Sequence, residues 1–232
     1  MPLSRTRGFG LRPCCPAATT SHLLRAACLI REGRRSTAEQ RLANYYQEGF
    51  PLSAADVLGL HRGHAAANYP PLAAVLPWFG MTPGDYLVAM ETGIRGYALQ
   101  NNHADWGVTD GHTQFGPASR RKICHEVVRL EDLLASVQQS GISEDYPPVL
   151  GCLLTDDRGE GGQPWVFDVR DGLHRCAVYA ALGYETVEMK LVANLGPEVR
   201  RSQSAEWAQV RSGLFTEDEA LTLFDRYVDG RL

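Results

Sequence analysis

No stretch of this sequence stays apolar long enough to cross a membrane, so a bilayer is not among the expected partners. The six cysteines, Cys14, Cys15, Cys28, Cys124, Cys152 and Cys176, contain no C-x-x-C pair and no zinc-like spacing. A disulfide framework and a structural zinc site are therefore not expected. With no secretory signal either, reduced thiols in a cytoplasmic setting are the default. A large excess of either charge is missing too: the formal net charge is −4, which speaks against a protein that coats nucleic acid. No helix-turn-helix pattern with a basic recognition face is present. What remains is a 232-residue chain of ordinary apolar content, enough for one domain with additions.

The most informative stretch is 165–192, WVFDVRDGLHRCAVYAALGYETVEMKLV. Trp165, Phe167 and Val169 alternate with Val166, Asp168 and Arg170, the period of a strand with one face on a core. Asp171-Gly172 breaks the alternation, and glycine permits a sharp path there. From His174 the spacing becomes helical, with Ala177, Val178, Ala181 and Leu182 on one stripe. Gly183 is placed to stop the helix, and Val187, Met189 and Leu191 alternate again. A helix that starts at 172–174 aims unbonded N–H groups and the positive end of its dipole out of the strand end, which suits an anion. Asp171, His174 and Arg175 add a carboxylate, a titratable donor and a fixed cation. The plainer alternative has Asp171 capping the helix and the other two as surface residues. Cys176 reads either as a reactive thiol or as a buried helix thiol packed like alanine.

The segment D-G-L-H-R-C-A-V-Y-A-A-L-G-Y-E-T-V resembles the ParB/sulfiredoxin superfamily, in the D-G-x-H-R form of its small-molecule kinases such as the free-serine kinases. Leu173 stands where sulfiredoxins carry their catalytic cysteine. His174-Arg175 differs from the G-E-R-R box with which ParB partition proteins bind CTP. The resemblance spans about 123–192. It implies an α+β fold, a small mixed sheet with helices of ParB/sulfiredoxin type; the residues ahead of it read separately as a helical N-terminal extension. It also implies that a nucleotide lays its phosphates on Gly172, Leu173, His174 and Arg175.

The second concentration of chemistry is Lys122-Ile123-Cys124-His125-Glu126, leading into Leu130, Leu133, Leu134 and Val137, an apolar stripe of a core-facing helix that Gly141 ends. In the kinases it resembles, a His-Glu pair precedes the corresponding helix and the Glu is the catalytic base. His125-Glu126 matches in kind and order. The alternative for Glu126 is a solvent-facing acid in a first helical turn, where the dipole favours it. Ser119, Arg120, Lys122 and His125 are the substrate-binding candidates, with Arg121 beside them. Exposed, solvated charge is the default for the basic ones.

Residues 1–37 are Arg-rich with Glu32 as the single acid and read as a basic, disordered leader outside the fold, with a transit peptide or an over-extended translation start as the alternatives. Residues 38–112 read as the helical extension, with Ser53 and Thr82-Pro83-Gly84-Asp85 opening helices. Leu87, Met90, Ile94 and Leu99 continue the second of these helices, interrupted by Gly93 and Gly96. His61, His64 and Trp78 are either pocket lining or packing. The loop 101–121 offers His103, Asp105, Asp110 and His112 as metal ligands or turn formers, and is expected to serve as a binding loop or lid, with 115–119 beside the substrate. Residues 148–154 read as a strand and 156–162 as the turn back to Trp165. A nucleotide-binding domain is expected over 113–195. Beyond it, 195–204 reads as polar linker, and Thr216-Glu217-Asp218-Glu219 as a capping box for a C-terminal helix with Leu221, Leu223, Phe224 and Tyr227.

The expected activity is a small-molecule kinase using ATP or ADP with Mg²⁺ carried on the phosphates, and no dedicated protein metal site. Glu126, Asp171 and His174 are its catalytic residues, and the acceptor is an amino-acid-like or other small hydroxyl metabolite. The alternatives are a nucleotide-binding switch without turnover, a DNA-associated ParB-like regulator, or a sulfiredoxin-like reductase resting on Cys176 or Cys152. A homodimer is left open.

Overall fold

The computed structural model describes residues 1–8, 12–13, 21–48, 50–100, 107–143, 146–158, 164–192 and 198–229. It is an α+β protein whose strands form one small mixed sheet. The chain divides into two compact units. The first comprises 1–44, 123–202 and 224–232, and the second 45–122 and 203–223. This interleaving replaces the consecutive segments expected from sequence.

The first unit holds the whole sheet, which runs β2-β1-β4-β3-β5 with β6 also on β3. Its strands are β1 (Thr6–Gly8), β2 (Arg12–Pro13), β3 (Val149–Thr155), β4 (Trp165–Asp171), β5 (Met189–Leu191) and β6 (Glu198–Arg200). β4 lies antiparallel to β3 and parallel to β1, with Thr6 opposite Phe167 and Arg7 opposite Asp168. Two neighbours make β4 a central strand. Val166, Phe167, Asp168 and Val169 are all buried, so the one-sided burial inferred from the alternation is corrected: both faces are covered. β3 carries a bulge between Leu150 and Gly151. At Gly151 a Cβ would run into the Asp168 carbonyl oxygen and the Phe167 ring, so glycine lets the two strands close.

α6 (Leu173–Ala181) follows β4 through Gly172, which sits at φ +99°. Its residues Cys176 to Ala181 are all buried, and Gly183 stops it at φ +88°. α1 (His22–Arg31) packs on α6. Here the reading of 1–37 as a disordered leader is corrected. Leu3 and Thr6 are buried, β1 pairs with β4, and Leu23, Leu24, Ala26 and Ala27 turn one face of α1 inward. Composition spoke for disorder, whereas the spacing of those four residues is helical. Cys14 and Cys15 lie outside the described residues.

α5 (Arg120–Ser140) begins earlier than the sequence suggested. His125-Glu126 is therefore inside the helix and does not precede it. Ile123, Val127, Leu130, Leu134 and Val137 form its buried face, and Gly141, at φ +70°, ends it. The polar linker expected over 195–204 is corrected as well. Residues 198–200 are β6, paired in parallel with β3, and Arg201 donates to both carboxylate oxygens of Asp225 at 2.8 and 3.0 Å. Residues 159–163 of the expected turn and 193–197 of that linker lie outside the described residues.

The second unit carries α3 (Ala54–Leu58), α4 (Pro83–Gln100) and α7 (Ala208–Arg211), with the end of α2 (Arg35–Gln47) and the start of α8 (Glu217–Asp229). Its helices open on local caps. Ser53 and Asp56 form a capping box, Thr82 Oγ1 accepts from Asp85 N, and Thr216 and Glu219 cap α8. Residues 73–79 form its apolar centre, with Trp78 edge-on to Trp207 at 5.4 Å. α4 is only partly covered: Ala98 is buried, while Val88 and Leu99 are exposed.

Candidate functional site

The two chemical stretches of the sequence meet inside the first unit. His174, in the first turn of α6, has its Nε2 in hydrogen-bond contact with Oε2 of Glu126, one turn and a half into α5. Glu126 has no exposed surface and His174 only 5%. The solvent-facing alternative for Glu126 is thereby set aside. An unpaired carboxylate in that position would be costly, and the imidazole supplies its partner.

Around this pair stands the turn. Gly172 is the N-cap of α6 in a left-handed conformation, and this N-cap makes no side-chain cap bond. Asp171 therefore does not act as a cap. It accepts a hydrogen bond from Arg175 Nη2 at 3.1 Å. The first-turn amides of α6 have no intrahelical acceptor, and Arg175 puts a permanent cation beside them. Uncapped amides plus a guanidinium suit a phosphate oxygen.

The substrate-binding candidates fall at the end of the loop before α5 and in its first two turns. Ser119, Arg120 and Lys122 belong to the second unit. Ser119 is an N-cap: its Oγ donates to Asp110 Oδ1 at 2.8 Å and accepts from Lys122 N at 3.1 Å. Arg120 is exposed. The Lys122 side chain is buried with its Nζ 5.5 Å from the Tyr97 ring centre. His125 is half-buried on α5.

The loop ahead of α5 is a tied structure. Asp110 accepts from Gly107 N, Ser119 Oγ and Arg121 Nη2. Burial alone would raise its carboxyl, but these three donors hold it below the ordinary value. Tyr46 donates to the Thr113 carbonyl at 2.7 Å, and a Cβ on Gly116 would strike the backbone of Tyr46. These bonds fasten the loop over its described residues, 107–121. Its acid is spent on those donors. Among the described residues no group of three His, Cys, Asp or Glu side chains could hold a metal ion, and His103 and Asp105 lie outside them. His61 and His64 face Glu219, each with Nε2 3.6 Å from a carboxylate oxygen, and His64 Nδ1 accepts from Ala66 N.

One cluster went unread in the sequence. Asp168, fully buried on β4, is paired with Arg170 Nη2 at 2.5 Å and lies opposite Cys152 on β3. Its Oδ1 has no hydrogen-bond partner. Burial pushes its carboxyl up to about 6, against the pull of Arg170. An acid two residues before an arginine inside an apolar strand was the available signal. Burial also pushes the thiols of Cys152 and Cys176 up to about 12. Neither supplies much thiolate, which argues against reductase chemistry.

No protein-family model, no curated protein and no solved structure matches this chain.

Proposed function

We propose that the chain is a nucleotide-dependent phosphotransferase acting on a hydroxyl of an amino-acid-like or other small metabolite. The reading starts from the resemblance of the D-G-L-H-R turn to the small-molecule kinases. The observation that carries it is the meeting of Glu126 with His174. The two residues lie 48 positions apart and come from the two stretches richest in chemically competent side chains.

In this reading the phosphates of ATP or ADP rest on the amides of Gly172, Leu173 and His174, with Arg175 neutralising their charge. Mg²⁺, carried on the nucleotide's own oxygens, adds further charge neutralisation. The acceptor oxygen forms a bond to the terminal phosphorus, and the bond from that phosphorus to the bridging oxygen breaks. The acceptor proton passes to the carboxylate of Glu126 as base, and His174, through its Nε2 contact, holds that carboxyl group in place. Positioning and electrostatics provide most of the acceleration in such transfers, so a small constellation suffices.

The test is turnover of ATP, ADP and CTP with Mg²⁺ against a panel of hydroxyl metabolites. Acceptor-dependent nucleotide consumption that falls at least about 100-fold in Glu126→Gln supports the reading. Absence of binding heat with every nucleotide removes it. The complete burial of Glu126 favours a second reading, a nucleotide-binding switch without turnover. That one is selected by binding that needs no acceptor and survives Glu126→Gln.

A further inference from the structure

We infer that Asp171 is a positioning residue that acts through Arg175 and does not touch the reacting groups. The kinetic part of this inference rests on the phosphotransferase reading, whereas its geometric part stands alone. Asp171 ends β4 and Arg175 lies in the first turn of α6, four residues on, so the pair straddles Gly172. Arg175 Nη2 donates to Asp171 Oδ2 at 3.1 Å.

The two side chains differ sharply in exposure. The Asp171 carboxylate is 61% exposed and the Arg175 side chain 12%. The carboxylate stands in solvent while the guanidinium is laid against the protein. What it is laid on is the turn itself: a Cβ at Gly172 would sit 3.0 Å from Arg175 Nη2 and 3.2 Å from Cζ, with Val149 Cγ2 on the other side at 3.0 Å. The glycine thus serves two ends, the left-handed backbone and the room for a cation above it.

An arginine that is free at this point samples many rotamers. A carboxylate four residues back selects the one in which the fork covers the uncapped helix start. Exposed ion pairs of this kind add little to stability, so orientation is what the pair provides. Its charge has the opposite sign from what a phosphate ligand would favour. Asp171 therefore assists the cation's placement while slightly opposing the arrival of an anion. Ground-state affinity and turnover should respond to its removal in different directions.

The test is a double-mutant cycle of Asp171→Asn and Arg175→Gln, read in nucleotide affinity by calorimetry and in kcat with the best acceptor. Asp171→Asn is expected to bind nucleotide as tightly as the wild type or up to about threefold more tightly, and to lose about tenfold or more in kcat. Asp171→Glu should recover part of that loss. In the Arg175→Gln background Asp171→Asn should cost nothing further. Equal losses in both backgrounds would show that Asp171 acts directly on substrate and would overturn the inference. A wild type that transfers no phosphoryl group would end the phosphotransferase reading. Asp171 is then judged by the NMR exchange of the Arg175 guanidinium. Faster rotation in Asp171→Asn sustains the inference, and unchanged rotation overturns it.

Discussion

Asp168 is a carboxylate that the fold handles badly. It is fully buried, has one counter-charge and keeps one oxygen without a partner. Burial raises its carboxyl from 3.8 to about 6. A raised acid contributes stability while protonated. That contribution is complete below about 3.8 and is lost as pH climbs through about 6. The loss is about 3 kcal/mol, from about two units at about 1.4 kcal/mol each. Asp110, Asp156 and Glu219 are shifted downward and work in the reverse sense, so the whole-protein curve mixes both. The difference between wild type and Asp168→Asn isolates the buried acid. Urea denaturation from pH 4 to pH 7 should show wild type losing ground to the variant across that window. Parallel curves would mean that Asp168 is ionised in both states. The local sequence offered only the spacing of Asp168 to Arg170 within an apolar strand, because alternation gives a face and not what covers it.

The glycines show how an element's surroundings decide a substitution. Gly151 sits at a bulge where a methyl group meets backbone on the neighbouring strand, whereas the open side of Gly93 in α4 leaves nothing within 4 Å. Gly151→Ala is expected to cost about 3 kcal/mol or more. Gly93→Ala is expected to gain about 0.5–1 kcal/mol from helix propensity. Thermal melts of the two variants test the contrast, and similar midpoints for both would contradict it. Elements were legible where their causes are local. Ser53, Thr82 and Thr216 cap helices through partners three residues away, and the Trp165-to-Ala181 strand–turn–helix follows from period and glycine placement. β1 and β6 were illegible, being three residues each and owing their existence to pairing. Thr6 meets Phe167 and Val199 meets Leu154. The candidate site was half legible. Residue types marked Glu126 and His174, but only the fold buries them together.

At the scale of the molecule, the sheet is assembled from distant parts of the chain. Deleting residues 1–8 should leave β4 with one neighbour, lower the melting temperature, and speed amide hydrogen exchange over 166–169. Unchanged protection there would show that β1 contributes nothing to the sheet. The parallel pairing of β1 with β4 carries a further consequence for biosynthesis. Thr6 is made long before Phe167, its neighbour in the sheet, so during translation the first strand has β2 beside it while its other edge waits for β4. Neither compact unit is a continuous segment, and no early translation product contains all of either one. The first unit has all its segments only once residues 224–232 have been made. A ribosome that stalls before β4 has emerged holds a chain in which β1 has no β4 to pair with.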